Sequence, residues 1–156
     1  MTLTQVTTEG IKDGTIVSAD LVTNQDFTIN SVTIGKGANS VAANTVLGEN
    51  ALDASVSGGN NTAIGKDTLS DLTSGARNTS IGADAGENIT TGNDNVSVGM
   101  GSLGTLTTGS NNTSLGKGSL ALATTSSNNT ALGYDALNAN TTGTRNVGVG
   151  SFSLAA

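Results

Sequence analysis

A glycine that follows an aliphatic residue recurs at Gly48, Gly65, Gly82, Gly99, Gly116, Gly133 and Gly150, and each of these anchors stands seventeen places after the one before. Gly35 precedes the series by a shorter step of 13. A chain held to one period over this distance is restricted to architectures in which each copy of a short unit sits on the last. No single copy can bury its own apolar positions. The phrase NNTAIGKDTL at 60 to 69 therefore returns as NNTALGYDAL at 128 to 137 because matching positions form columns.

Each unit reads as strand, turn, apolar return, turn. One place before the anchors stand Ile34, Leu47, Ile64, Ile81, Val98, Leu115, Leu132 and Val149, and three places before them stands Thr or Val. Period-two spacing of β-branched and aliphatic residues predicts a strand of about four residues. The small residue between them, such as Ala63, Ser80 or Ala131, faces the other way. Two places after the anchor come Asn50, Asp67, Asp84, Gly101, Gly118 and Asp135, which tolerate positive φ and bend the chain. Four places after it, Leu52, Leu69, Leu103, Leu120, Leu137 and Leu154 supply a second apolar contact, with Asn39 and Gly86 as exceptions. A second corner follows at Gly58, Gly75, Gly92, Gly109 and Gly143, where Ser126 breaks the pattern. Four places before the anchor stand Asn44, Asn61, Asn78, Asn95, Asn112, Asn129 and Asn146. Stacked amides about 4.8 Å apart can hydrogen-bond along the axis, and Asn equally suits the corner conformation.

The predicted fold is all-β, a parallel β-roll or β-helix solenoid of 17-residue coils. Residues 31–156 supply about eight coils, after a β-rich lead-in over residues 1–30. In the lead-in, IKDGTIV at 11 to 17 places a turn before a β-branched run, and FTINSVTIG at 27 to 35 alternates into the first unit. This segment either caps the stack or docks it onto something larger, or forms a partly ordered arm. The chain reaches Ala156 six residues past an anchor, as expected for a piece of a longer fibre or for a stack capped by Phe152. Three sizeable apolar side chains per unit do not offset the entropy of ordering the whole unit, so copies are expected to share apolar faces in an obligate oligomer.

Composition narrows the chemistry. With no Cys and no His the chain has no thiol nucleophile, no disulfide, no soft metal site and no imidazole base. Asp67 with Asp71, and Asp84 with Glu87, read as solvated turn residues and not as acid–base pairs. No GxxxxGK[ST] phosphate loop occurs, and Asp is too sparse for a calcium-binding β-roll. No enzyme activity, cofactor or metal is expected. Twelve acidic residues against six scattered Lys and Arg leave no basic stripe, so nucleic-acid binding is not expected. MTLTQVTTEG lacks the charged start and apolar run of a secretory signal, and no stretch reaches membrane-spanning length. Paired hydroxyls at Thr73-Ser74, Thr90-Thr91, Thr107-Thr108, Thr124-Thr125 and Thr141-Thr142 would stack into a ladder. Such a ladder fits an ice- or carbohydrate-binding face, or simply a solvated β corner.

The phrase seen in NTAIGKDTL, NTSLGKGSL and NTALGYDAL resembles the head repeats of trimeric autotransporter adhesins, and still more the longer-period version found in tail-fibre proteins of tailed bacteriophages. VTTEGIKDGTIVSADLV is similar to the starts of phage fibre proteins, especially those of marine phages. The matching positions are structural ones: the Asn four before the anchor (Asn61, Asn78, Asn95, Asn112, Asn129, Asn146), the aliphatic residue (Ile64 to Val149), the anchor glycine (Gly65 to Gly150) and Leu69. They include no receptor-binding residue. The resemblance implies a homotrimer of parallel left-handed coils in a virion, attached to other virion proteins through residues 1–30. It also implies contact with a host-surface glycan or protein along the fibre, and synthesis in the host cytoplasm. A bacterial surface adhesin head is the alternative, although the chain shows no heptad stalk or anchor barrel; a Thr-rich ice or sugar binder is the other.

Overall fold

The computed structural model describes residues 26–155. Most of the predicted lead-in, including IKDGTIV, lies outside them. Nine short strands form one sheet in sequence order: β1 (Phe27–Ile29), β2 (Val32–Gly35), β3 (Thr45–Gly48), β4 (Thr62–Ile64), β5 (Thr79–Ile81), β6 (Val96–Val98), β7 (Thr113–Leu115), β8 (Thr130–Leu132) and β9 (Val147–Val149). From β3 to β9 the pairing is parallel and the register never shifts, so that Thr62 lies beside Thr79 and Thr79 beside Val96. The protein is an all-β solenoid.

The eight expected coils are six. The step of 13 before Gly48 is too short to travel round a coil, and β2 instead pairs antiparallel with both β1 and β3. The expected boundary at residues 30/31 falls in the turn between β1 and β2. There Asn30 and Ser31 both take positive φ (48° and 68°), the geometry of a two-residue hairpin. Asp26 secures the start of the next reversal, its carboxylate accepting from the backbone N–H groups of Lys36 and Gly37 at 2.6 and 2.7 Å. The hairpin thus covers one edge of the parallel stack.

The structure decides which side of each strand faces inward, a point the period-two pattern leaves open. The small residue points into the coil: Ala63, Ser80, Ser97, Ser114 and Ala131 are all buried. The aliphatic residue before the anchor points outward. The reason is volume, because so short a coil has a narrow lumen and Leu52, Leu69, Leu103 and Leu120 already fill it from the opposite wall. A second wall column, Leu72, Ile89, Leu106 and Ala123, completes this core. Where Gly86 replaces a wall Leu, a Cβ would sit 3.0 Å from both Ile89 Cδ1 and Leu69 Cδ2, so neighbouring side chains already occupy that space.

The turns behave as predicted two places after the anchor, where Asn50, Asp67, Asp84 and Asp135 have φ between 49° and 58°. Four places after it the wall leucines also adopt the left-handed region, with φ of 50° to 52° from Leu52 to Leu137. That conformation costs about 1–2 kcal/mol for a residue with a Cβ, and burying a leucine returns about 2 kcal/mol or more. At the anchors themselves, Gly82 combines φ of 124° with an added Cβ lying 2.9 Å from the Gly99 carbonyl carbon, so both conformation and stacking distance require glycine.

Candidate interaction surfaces

The asparagine column is a continuous hydrogen-bonded ladder from Asn44 to Asn146. In each step the Oδ1 of one residue accepts from both the backbone N–H and the Nδ2 of its counterpart in the next coil. For Asn78 and Asn95 these distances are 3.0 and 3.1 Å. The other Nδ2 hydrogen reaches the carbonyl of the corner residue in the next coil, as from Asn95 to Gly109 at 2.9 Å. Asn61, Asn78, Asn95, Asn112 and Asn129 are buried, and every donor and acceptor of these amides is used. The ladder also explains the second corner: a Cβ on Gly92 would lie 3.0 Å from Asn95 Nδ2. Ser126 occupies that crowded corner in one coil, buried and with its Oγ lacking a hydrogen-bond partner.

The hydroxyl pairs divide by position. The first member of every pair but the last donates to the backbone of the next coil: Thr73 to the Thr90 carbonyl at 3.1 Å, Thr90 to Thr107 at 3.1 Å, Thr107 to Thr124 at 2.9 Å and Thr124 to Thr141 at 3.2 Å. The second members, Ser74, Thr91, Thr108, Thr125 and Thr142, lie on the outside of the corner and are all exposed. This outer column turns its hydroxyls to solvent. Within the middle coils the inward serines form their own chain, Ser102 Oγ donating to Ser114 Oγ at 2.8 Å and Ser114 bonding to Ser119.

The outer face of the sheet carries two columns. Leu47, Ile81, Leu115 and Leu132 are 43%, 38%, 44% and 41% exposed, with Ile64 and Val98 half-buried and Val149 more open. Beside them runs the column of Thr45, Thr62, Thr79, Val96, Thr113, Thr130 and Val147. Period-two spacing identified both columns as sharing a face, but nothing in that spacing marked the face as the outer one.

Charge lies on the flanks. Seven carboxylates fall between Glu49 and Asp94 against Lys66 and Arg77, whereas only Asp135 follows, with Lys117 and Arg145. Arg77 clamps Asp94 of the next coil through two bonds of 2.6 and 2.8 Å, which hold the Asp94 carboxyl below its usual range. Asp67 is likewise held low by hydrogen bonds from Lys66 and Asn50. Glu87 is pushed up by desolvation and by Asp84, Asp67 and Asp71 nearby. Asp67, Asp71, Asp84 and Glu87 thus share one flank, yet no group of three or more potential metal ligands is assembled among the described residues.

At the last coil Tyr134 and Phe152 meet edge to face at 5.1 Å between centroids, with the Lys117 ammonium 5.9 Å from the Tyr134 ring. No helix among the described residues is long and apolar enough to cross a membrane. No protein family, characterised protein or solved structure matches the chain.

Proposed function

We propose that the chain is a non-enzymatic structural protein of a virus particle, a trimeric fibre or spike that projects from the virion and supports attachment to a host surface. The observation that carries this reading is the stack itself. The buried asparagine ladder, the inward serines and, on the corner, the first threonines of the hydroxyl pairs bond one coil to the next. Seven parallel strands at about 4.8 Å give a rise of roughly 30 Å, a stiff spacer whose chemistry is spent on holding its own length. The repeat's likeness to phage tail-fibre repeats supports the virion setting. Residues 1–30 are the proposed attachment segment to other virion proteins, and a host glycan or protein is the proposed distal contact. Synthesis in the host cytoplasm goes with that setting.

Antibody raised against the repeats tests the reading directly. Immunogold labelling of intact particles should decorate projecting appendages, and the chain should co-purify with capsid or tail proteins. A protein recovered free of particles would overturn it. One observation favours a second reading: the outer column from Ser74 to Thr142 offers evenly spaced hydroxyls to ice or to a carbohydrate. On that reading the isolated protein shows thermal hysteresis or sugar binding, and Thr91→Val removes it.

A further inference from the structure

The chain has two phenylalanines, one tyrosine and no tryptophan, and two of these three aromatic residues meet on the surface of the stack. Tyr134 and Phe152 stand edge to face yet are 45% and 61% exposed, so the pair builds no core. Phe152 occupies the turn position held by Asn50, Asp67, Asp84 and Asp135 in other coils, and it keeps their left-handed backbone, with φ of 56°. For a bulky side chain that backbone is an outlier. The wall leucines offset the same strain by burial. Phe152 does not, and one ring contact in water returns no more than the strain costs. An aromatic side chain kept in a strained turn and left open to solvent points to a ligand and not to the fold.

Polar groups of both signs border the rings. The Lys117 ammonium lies 5.9 Å from the centroid of the Tyr134 ring. The Asp135 carboxylate, beside the Tyr134 hydroxyl, pushes the phenol pKa up, and Asn138 Nδ2 reaches Asp135 Oδ1 at 3.4 Å. An anionic ligand would meet Asp135 and a cationic one Lys117, so the patch favours a ligand without net charge. Rings that accept an apolar face, with a donor and an acceptor at their margin, suit a molecule that is apolar on its faces and hydroxylated at its edge.

We infer that Tyr134 and Phe152 form a binding site for a neutral saccharide, one sugar ring lying against the exposed aromatic surface while Lys117 and Asp135 hydrogen-bond its hydroxyls. For its target the site rests on the proposed fibre: it makes the distal contact an uncharged glycan, held at the opposite end of the stack from the attachment segment.

Tyr134 is the one tyrosine in a chain without tryptophan, so the intrinsic fluorescence of the full chain reports on this patch. The probes are neutral oligosaccharides of glucose, mannose and galactose, with oligogalacturonate as the charged comparison. At millimolar concentration at least one neutral series changes the tyrosine emission saturably, and oligogalacturonate does not. Phe152→Asn places a turn former in the turn; it weakens binding at least tenfold while the melting temperature is kept or raised. Should that variant unfold, Lys117→Met decides, since Met100 holds the same place one coil earlier, and it weakens binding at least threefold. Thr91→Val, on the hydroxyl column of the second corner, leaves binding unchanged. Silence toward every neutral series, loss of binding in Thr91→Val, or undiminished binding in folded Phe152→Asn overturns the site. An equal response to oligogalacturonate overturns the neutral class. A chain that decorates particles and binds no sugar loses this site and keeps the fibre reading, whereas one that binds sugar through Phe152 and is recovered free of particles keeps the site and loses the fibre.

Discussion

The inner and outer faces of the same three-residue strands obey different rules. Inside, each position is fixed by the coil above and the coil below: a small residue opposite a wall leucine, and an asparagine whose amide is fully used. Outside, the residues touch solvent and tolerate Thr or Val in one column and Leu, Ile or Val in the other. The difference teaches that in a narrow solenoid the largest aliphatic residues of the strand do not mark its core. Lumen volume selects the small ones for the interior and leaves the large ones for another surface to cover.

The largest effect that sharpens this contrast is expected from Asn95→Asp. The carboxylate loses both Nδ2 bonds, faces the Asn78 Oδ1 and the Gly109 carbonyl, and is buried. A loss of about 4 kcal/mol or more is expected in denaturant unfolding at neutral pH. The folded-state pKa of that Asp is raised, so the penalty exists above it and shrinks as pH falls through it. A penalty independent of pH would mean that the column is not sealed from water. Next comes Leu103→Ala, which empties the wall of one coil and should cost about 2–4 kcal/mol, the strain at its φ of 52° being unchanged because alanine keeps the Cβ. On the outer face, Ile81→Ser should change the unfolding free energy of the single chain by under about 1 kcal/mol. If it costs as much as Leu103→Ala, the two faces do not differ in the way described.

Two smaller effects test particular sites. Ser126→Gly removes a buried hydroxyl that has no partner and restores the residue found at the other corners, and a gain of about 1 kcal/mol is expected. Glu87→Gln should stabilise the coil slightly. The Glu87 pKa is raised on folding, so its carboxylate destabilises the fold above the folded pKa and ceases to do so below the unfolded one. The variant's advantage in melting temperature should therefore be present at pH 7 and vanish in acid. Asp67 and Asp94 run the opposite way: their pKa values are lowered, and their contribution is lost as pH falls through the folded values.

Strand positions, the bend after each anchor and the constant register were legible because period-two residues and turn formers recur at fixed offsets. The asparagine column was legible as a column, and the geometry resolves its role as a ladder that also satisfies the corner. The orientation of the strand was not legible, since Thr-Ala-Ile reads equally well either way until the wall leucines are placed across from Ala63. Nor was the left-handed backbone at Leu69 and Leu103, which local preference disfavours and burial overrides. The shorter step before Gly48 flagged Gly35 as irregular without showing that the chain would turn back and cover the edge of β3. Among the hydroxyl pairs, spacing could not tell that Thr90 would be engaged and Thr91 left free.

Stacking of successive coils in register is the central claim, and the side-chain amides report it most directly. In solution NMR of the full chain, the carboxamide protons of Asn78, Asn95 and Asn112 should exchange slowly with solvent and show cross-relaxation to the matching amide group one coil along. Carboxamides that exchange as fast as those of free asparagine, with no contact between neighbouring coils, would contradict it.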